Sequence, residues 1–207
     1  MFKIDLEKFS HKLGQCQLLK TMENLFMSKY TQIKNVAVYL GSVEVADQAY
    51  RQAVIDFANF LADNGMTLVF GGSNTGMMKL LADTMLAKNG KVIGVFTKSL
   101  PEKLIRYDLT DSVITENLAE RKAEMLRRAD AVVALPGSIG TLDELFDALA
   151  QKKLGVINCP IGVLNVNGFF NPLSAFLQNT LEAGFSTEKV LSMLKSGSTA
   201  EELFSNF

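Results

Sequence analysis

Three features of this chain carry residue types that do chemistry. They are the glycine turn Pro136-Gly137-Ser138-Ile139-Gly140-Thr141, a carboxylate at Glu144, and the basic pair Arg121-Lys122, with Arg121 placed 23 residues before Glu144. The run Ala131-Val132-Val133-Ala134-Leu135 ahead of the turn is apolar and rich in β-formers, and reads as a buried strand. From Thr141 to Leu149 the apolar residues recur at helical spacing. A strand, a tight turn and a helix start therefore follow one another. Such a turn aims unpaired backbone N–H groups and the positive end of a helix dipole at whatever lies above it. Gly137 and Gly140 allow positive φ and a close backbone approach, Ser138 and Ile139 complete the loop, and the Thr141 hydroxyl stands where it can donate to a phosphate oxygen. Glu144, one turn further on, would not help an anion and calls for a separate reason.

Arg121 falls in the first turn of a second helical stretch that opens at Asn117, a good N-cap residue. Basic residues at a helix start oppose the dipole, which suggests an anionic partner for Arg121 and Lys122. Two further turns belong to the same picture. Val36-Ala37-Val38-Tyr39-Leu40 reads as a strand closed by Gly41-Ser42, and Met66-Thr67-Leu68-Val69-Phe70 as a strand followed by Gly71-Gly72-Ser73-Asn74-Thr75-Gly76 and a helix. Ligands of open parallel sheets sit beyond the carboxyl ends of the strands, so Gly41, Ser42, Gly72 and Gly76 join the candidate binding residues. The second turn is not a dinucleotide fingerprint. Ser73 breaks the Gly-x-Gly-x-x-Gly spacing, and the next strand, Lys91-Val92-Ile93-Gly94-Val95-Phe96, ends without an acidic residue.

The stretch from Pro136 to Glu144, taken with Glu120-Arg121-Lys122, resembles the Pro-Gly-Gly-x-Gly-Thr-x-x-Glu signature of the Lonely Guy (LOG) family of phosphoribohydrolases, often labelled lysine decarboxylases. The resemblance runs from about residue 36 to 204 and takes in Gly168-Phe169-Phe170-Asn171-Pro172-Leu173 and Glu182-Ala183-Gly184-Phe185. It departs from the family pattern at Ser73, Lys79 and Ser138, each a family glycine, and at Ala150, Gln151 and Lys153. Where the family carries Pro-Arg-Glu, this chain has Pro101-Glu102-Lys103.

The resemblance implies hydrolysis of the N-glycosidic bond of a nucleoside 5′-monophosphate to free base and ribose 5-phosphate, with cytokinin riboside monophosphates or AMP-type nucleotides as substrates. Glu144 and Arg121 then carry catalysis. Glu144 sits beside the electron-poor anomeric carbon, and the turn from Gly137 to Thr141 holds the 5′-phosphate. No metal or redox cofactor is needed. The family commonly forms homodimers. The alternative is a nucleotide-binding or signalling protein of the same fold, which would need the phosphate turn but not Glu144 and Arg121 together. A lysine decarboxylase would need a Schiff-base lysine and an acid for a pyridinium nitrogen, and nothing in the sequence marks that pair.

The elements that must position these residues alternate strand and helix throughout, with apolar, β-branched strands. This is the pattern of an α/β, Rossmann-like doubly wound parallel sheet with helices on both faces, expected over 35–207. Residues 1–34 read as a helical N-terminal extension with Phe2, Leu6, Phe9 and Leu13 on one stripe, suited to packing or a subunit contact. Residues 97–110 read as a loop at the rim of the site. Residues 190–195 are ambiguous between strand and helix by periodicity, and the resemblance favours strand. Thr199-Ala200-Glu201-Glu202-Leu203 reads as a capped terminal helix.

Composition narrows the partners. The 207 residues suffice for one well-cored domain, and a net charge of −1 gives no basic balance to recruit nucleic acid. The single histidine, His11, makes a zinc site or a histidine-based triad improbable, and Cys16 and Cys159 are too far apart in sequence to read as a disulfide framework. No apolar run approaches the ~20 residues of a membrane span. Asp5 and Glu7 interrupt the N-terminus where a secretory signal would be apolar, so a soluble, cytoplasmic protein is expected.

Overall fold

The computed structural model describes residues 32–207, so the helical reading of 1–34 lies outside the described residues up to 31, and residues 32–34 are turn and coil, not helix. Strands β1 (Asn35–Tyr39), β2 (Thr67–Phe70), β3 (Val92–Thr97), β4 (Asp111–Thr115), β5 (Ala131–Ala134), β6 (Ile161–Leu164) and β7 (Leu194–Gly197) form one sheet in the order β4-β3-β2-β1-β5-β6-β7. Every pairing is parallel. Helices α1 (Gln48–Asp63), α2 (Gly76–Ala87), α3 (Leu118–Arg128), α4 (Ile139–Lys153), α5 (Asn171–Glu182), α6 (Glu188–Leu191) and α7 (Ala200–Ser205) make the connections. This is the α/β Rossmann-like architecture expected.

The near-continuous apolar strands follow from burial on both faces of the sheet. Ala37, Tyr39, Val132 and Ala134 pack with Met125 and Leu126 of α3 and with Leu145 and Ala148 of α4. Phe57 and Phe60 of α1 pack against Phe204 of α7 with their rings tilted. The strand order reverses at β1, which lies between β2 and β5. Its register with β5 runs from Val36 opposite Ala131 to Tyr39 opposite Ala134, bringing the ends of both strands level. A crevice must open beyond those ends, because the chain leaves the two strands toward different helices.

Local chemistry sets the boundaries. Asp47 caps α1 by accepting from the Ala49 N–H at 2.8 Å, Asn117 caps α3 through the Glu120 N–H at 2.9 Å, and Thr199 caps α7 through the Glu202 N–H at 3.2 Å. Two readings need correction. The stretch around 190–195 is both helix and strand: α6 ends at Leu191, and β7 begins at Leu194. Helix α4 begins at Ile139 with Ser138 as its N-cap residue, two positions before Thr141, so Gly140 belongs to the first helical turn.

Candidate active site

The crevice at the reversal point is a cleft of about 200 Å³ lined by Gly41, Ser42, Arg121, Ser138, Gly140, Thr141 and Glu144, with Val38, Leu40, Gly71 and Met78 completing its walls. Three strand ends supply it. Leu40, Gly41 and Ser42 follow β1, Gly71 follows β2, and Ser138 to Glu144 follow β5. Arg121 reaches in from α3.

Arg121 and Glu144 meet in this cleft. Arg121 Nη1 donates to Glu144 Oε1 at 2.6 Å while Nε donates to the Val95 carbonyl at 2.9 Å. The two side chains are 15% and 12% exposed, enough to touch a ligand and too little for water to screen the pair. Burial raises the Glu144 pKa above the ordinary glutamate value, and Arg121 pulls it back without cancelling the shift. Below the pair, the Tyr39 hydroxyl is buried without a hydrogen-bond partner among the described residues, and burial first, then the Glu144 and Asp147 carboxylates, hold it protonated.

The glycine turn works by close approach. Neither Gly137 nor Gly140 has positive φ, which corrects the conformational reason for both. A Cβ on Gly137 would lie 2.1 Å from Thr141 Oγ1 and 2.9 Å from the Gly41 N–H nitrogen, so only glycine lets the turns after β1 and β5 touch. The Gly41 N–H bonds the Pro136 carbonyl at 3.2 Å across that contact. A Cβ on Gly140 would meet nothing within 4 Å, which leaves open space over the first turn of α4. Ser138 provides no side-chain cap, and no acidic residue sits in that turn. Thr141 is 3% exposed, and its hydroxyl makes no hydrogen bond among the described residues. The N-terminal N–H groups of α4 thus face the cleft without a side-chain cap, an arrangement that holds anions.

The remaining expected residues, Gly72, Gly76, Gly137, Ile139 and Lys122, are not in the lining of the cleft. Gly76, at φ +51, packs on the Ser42 carbonyl, where a Cβ would come within 2.3 Å. Gly72, at φ +70, lies against the Phe96 ring. Ile139 is 82% exposed on the outer face of α4. Lys122 is not in the lining; its ammonium donates to Asp143 at 2.9 Å and lies 3.8 Å from Asp147, tying α3 to α4. Gly71 was missed by sequence reasoning. A Cβ there would fall 1.8 Å from Arg121 Nη2, so this glycine is the seat of the guanidinium. Only the adjacent Gly71-Gly72 pair hints at it.

The chain matches the family model described as "Possible lysine decarboxylase" over residues 78–207. It is 36% identical over 175 residues to a probable cytokinin riboside 5′-monophosphate phosphoribohydrolase, LOGL3, of Oryza sativa subsp. japonica, covering 84% of this chain and 82% of the relative. It is 35% identical over 182 residues to the cytokinin riboside 5′-monophosphate phosphoribohydrolase LOG4 of Arabidopsis thaliana, covering 87% and 83%. The molybdenum cofactor binding protein of Rippkaea orientalis superposes with a TM-score of 0.62 over 83% of this chain and 93% of that one, at 22% identity, a likeness of fold. On the family model and these identities, the chain belongs to the LOG family.

Proposed function

We infer that this protein is a nucleoside 5′-monophosphate phosphoribohydrolase, acting on cytokinin riboside 5′-monophosphates or AMP-type nucleotides. The observation that carries the reading is the buried Arg121–Glu144 pair opening onto the same cleft as the uncapped start of α4. The relatives' names describe that activity.

The reaction adds water across the C1′–N bond. That bond's electron pair leaves with the base, which gains a proton, and the water oxygen bonds C1′ to give ribose 5-phosphate. Positive charge grows at C1′ in the transition state, and the Glu144 carboxylate stabilises it and orients the water. The N–H groups of Ile139, Gly140 and Thr141, with the Thr141 hydroxyl, hold the 5′-phosphate, which fixes the ribose against Glu144. Gly41 and Ser42 form the facing wall. Arg121 exchanges part of its contact with Glu144 for ligand oxygens. At about 200 Å³ the cleft is smaller than the ~300–1,000 Å³ of ordinary small-molecule sites, so it suits the sugar-phosphate and leaves the base at the mouth.

Incubation with a panel of nucleoside 5′-monophosphates, with chromatography for free base, tests this reading. Stoichiometric base and ribose 5-phosphate are expected. Nucleotide binding with no base release from any member would point instead to a non-catalytic nucleotide-binding or signalling protein.

The proposal includes a cytoplasmic homodimer. Supporting the dimer is an apolar stripe of α4, Ile139, Leu142 and Phe146, which continues into a groove lined by Leu149, Leu177 and Val190. No described helix is long and apolar enough to cross a membrane. Two cysteines far apart in sequence suit a reducing compartment.

A further inference from the structure

The turn that seats Arg121 is held from within by the Ser73 hydroxyl, 2.9 Å from the Thr75 hydroxyl, which donates to the Ser42 carbonyl at 3.2 Å. Gly71 and Gly72 have no side chains, and Gly72 sits at φ +70. The turn is braced from outside by the segment after β3. The Asn74 N–H donates to the Leu104 carbonyl at 2.8 Å, the Arg106 N–H donates to the Gly72 carbonyl at 3.1 Å, and Ser73 and Ile105 form an isolated antiparallel bridge. Arg106 anchors that segment to α2, while the Thr110 hydroxyl, which accepts from the Val92 N–H at 3.0 Å, ties its far end to β3. Arg106 is buried, its side chain 7% exposed. Its Nη1 donates to Asp83 of α2, and its Nη2 donates to Asp108 Oδ2 at 2.9 Å. Its Nε lies 2.8 Å from Asp108 Oδ1, too poorly aligned for a hydrogen bond. Asp83 also accepts from Lys79 at 2.5 Å, so the lysine standing at a family glycine belongs to the same cluster.

The guanidinium is buried while its carboxylate partners are exposed, so the pairs give little net stability, but the planar fork held at two carboxylates fixes the direction of the side chain. Here the geometry runs through a continuous set of contacts. Asp83 holds Arg106, the Arg106 backbone holds Gly72, and adjacent Gly71 leaves only the room that the Arg121 guanidinium fills. We propose that Arg106, paired with Asp83, is a positioning residue for Arg121, holding the turn from Gly71 to Asn74 so that the guanidinium stays aimed at Glu144 and the cleft. It touches no ligand and acts through the turn. The inference rests on the reading that Arg121 acts on a bound nucleotide.

A double-mutant cycle on the full chain tests it, with AMP as the probe. Arg106→Met should lower kcat/KM by about ten-fold or more in the native background and by less than about two-fold once Arg121→Lys has already loosened the guanidinium. Arg106→Lys, which keeps the charge without the fork, should recover only part of the loss. Equal losses in the two backgrounds would overturn the proposal, because a merely structural role is additive with Arg121. If Arg106→Met does not fold, Asp83→Asn takes its place under the same criterion. If the native protein releases no base from any nucleotide, the hydrolase reading falls. The cycle is then measured in the AMP dissociation constant, where additivity again overturns the positioning role and coupling supports it.

Discussion

Arg121 and Glu144, 23 residues apart in the chain, form a hydrogen-bonded ion pair of 2.6 Å at the point where the sheet reverses its strand order. The arginine is also held at the Val95 carbonyl, so it is anchored to β3 on one side of the reversal while touching α4 on the other. The pair couples the two halves of the fold and places a guanidinium and a carboxylate in one cleft.

Glu144→Gln should retain nucleotide affinity and lose about 10²–10³-fold in kcat, the size expected for removing one electrostatic contact made in the transition state. Isothermal titration and base-release rates on the same preparation separate the two quantities. A kcat within two-fold of native, read on the order-of-magnitude scale of such effects, would remove Glu144 from the chemistry.

Hydrolysis should depend on the 5′-phosphate, since the free N–H groups of α4 and the Thr141 hydroxyl have no other use on the ribose. AMP should outrun adenosine by about two orders of magnitude or more in kcat/KM, because remote binding groups contribute to orientation at the reacting carbon. Equal rates would show that the start of α4 is not a phosphate site.

The acid limb of the kcat/KM profile should lie above the pH where an ordinary glutamate titrates. Burial raises the Glu144 pKa, so protons are retained to higher pH, and activity rises only as pH climbs through that raised value and the carboxylate forms. Arg121→Gln removes the opposing charge and should move the limb further up. A limb that moved down on this substitution would contradict the assignment.

Gly71→Ala and Gly140→Ala should differ in kind. The alanine methyl at 71 collides with Arg121 Nη2 and Met78 Cε, both flexible tips, so the fold adjusts by moving the guanidinium. A misplacement of that order costs about 10²-fold in rate, with the melting temperature nearly unchanged. The methyl at 140 meets only open space and should leave stability intact while obstructing the phosphate, raising KM. Steady-state kinetics with thermal melts distinguish the two patterns.

The protein should scatter light as a dimer at micromolar concentration, at twice the 22.7 kDa chain mass. Phe146→Glu, which puts a charge in the α4 stripe, should give the monomer mass. Deletion of residues 1–30 should leave the dimer, and a monomer after that deletion would assign the contact to the N-terminal segment instead.

Features decided locally were legible in the sequence. The Asn117 and Thr199 caps and the run of buried strands depend on neighbours within a few residues or on a repeated period, whereas the 23-residue spacing from Arg121 to Glu144 was legible only through the family resemblance. What depends on distant parts was not. Lys122 stands beside Arg121 in the chain, yet one residue along a helix turns a side chain by about 100°, and its ammonium finds Asp143 instead of the cleft. Gly137 drew the right attention for the wrong reason, because the demand for glycine comes from crowding by Thr141, four residues on, and by the Gly41 backbone, almost a hundred residues away. Gly71 is crowded by Arg121, fifty residues further on, and Arg106 reaches the turn after β2 only once the segment after β3 folds back on it. The split at 188–197 escaped periodicity because four residues of helix and four of strand are each shorter than the window that detects them.

The bare start of α4 ties ligand occupancy to the durability of the fold. Because the Ser138 side chain makes no cap bond, α4 stands about 1 kcal/mol short of a helix whose N-cap side chain does. In the proposed complex the phosphate of substrate or product takes that position, and the free energy of binding adds directly to that of folding as RT ln(1 + [L]/Kd). Nucleotide supply would then govern how long each molecule survives thermal opening and proteolysis, independently of turnover. A chain emptied of ligand would be the first to be cleared.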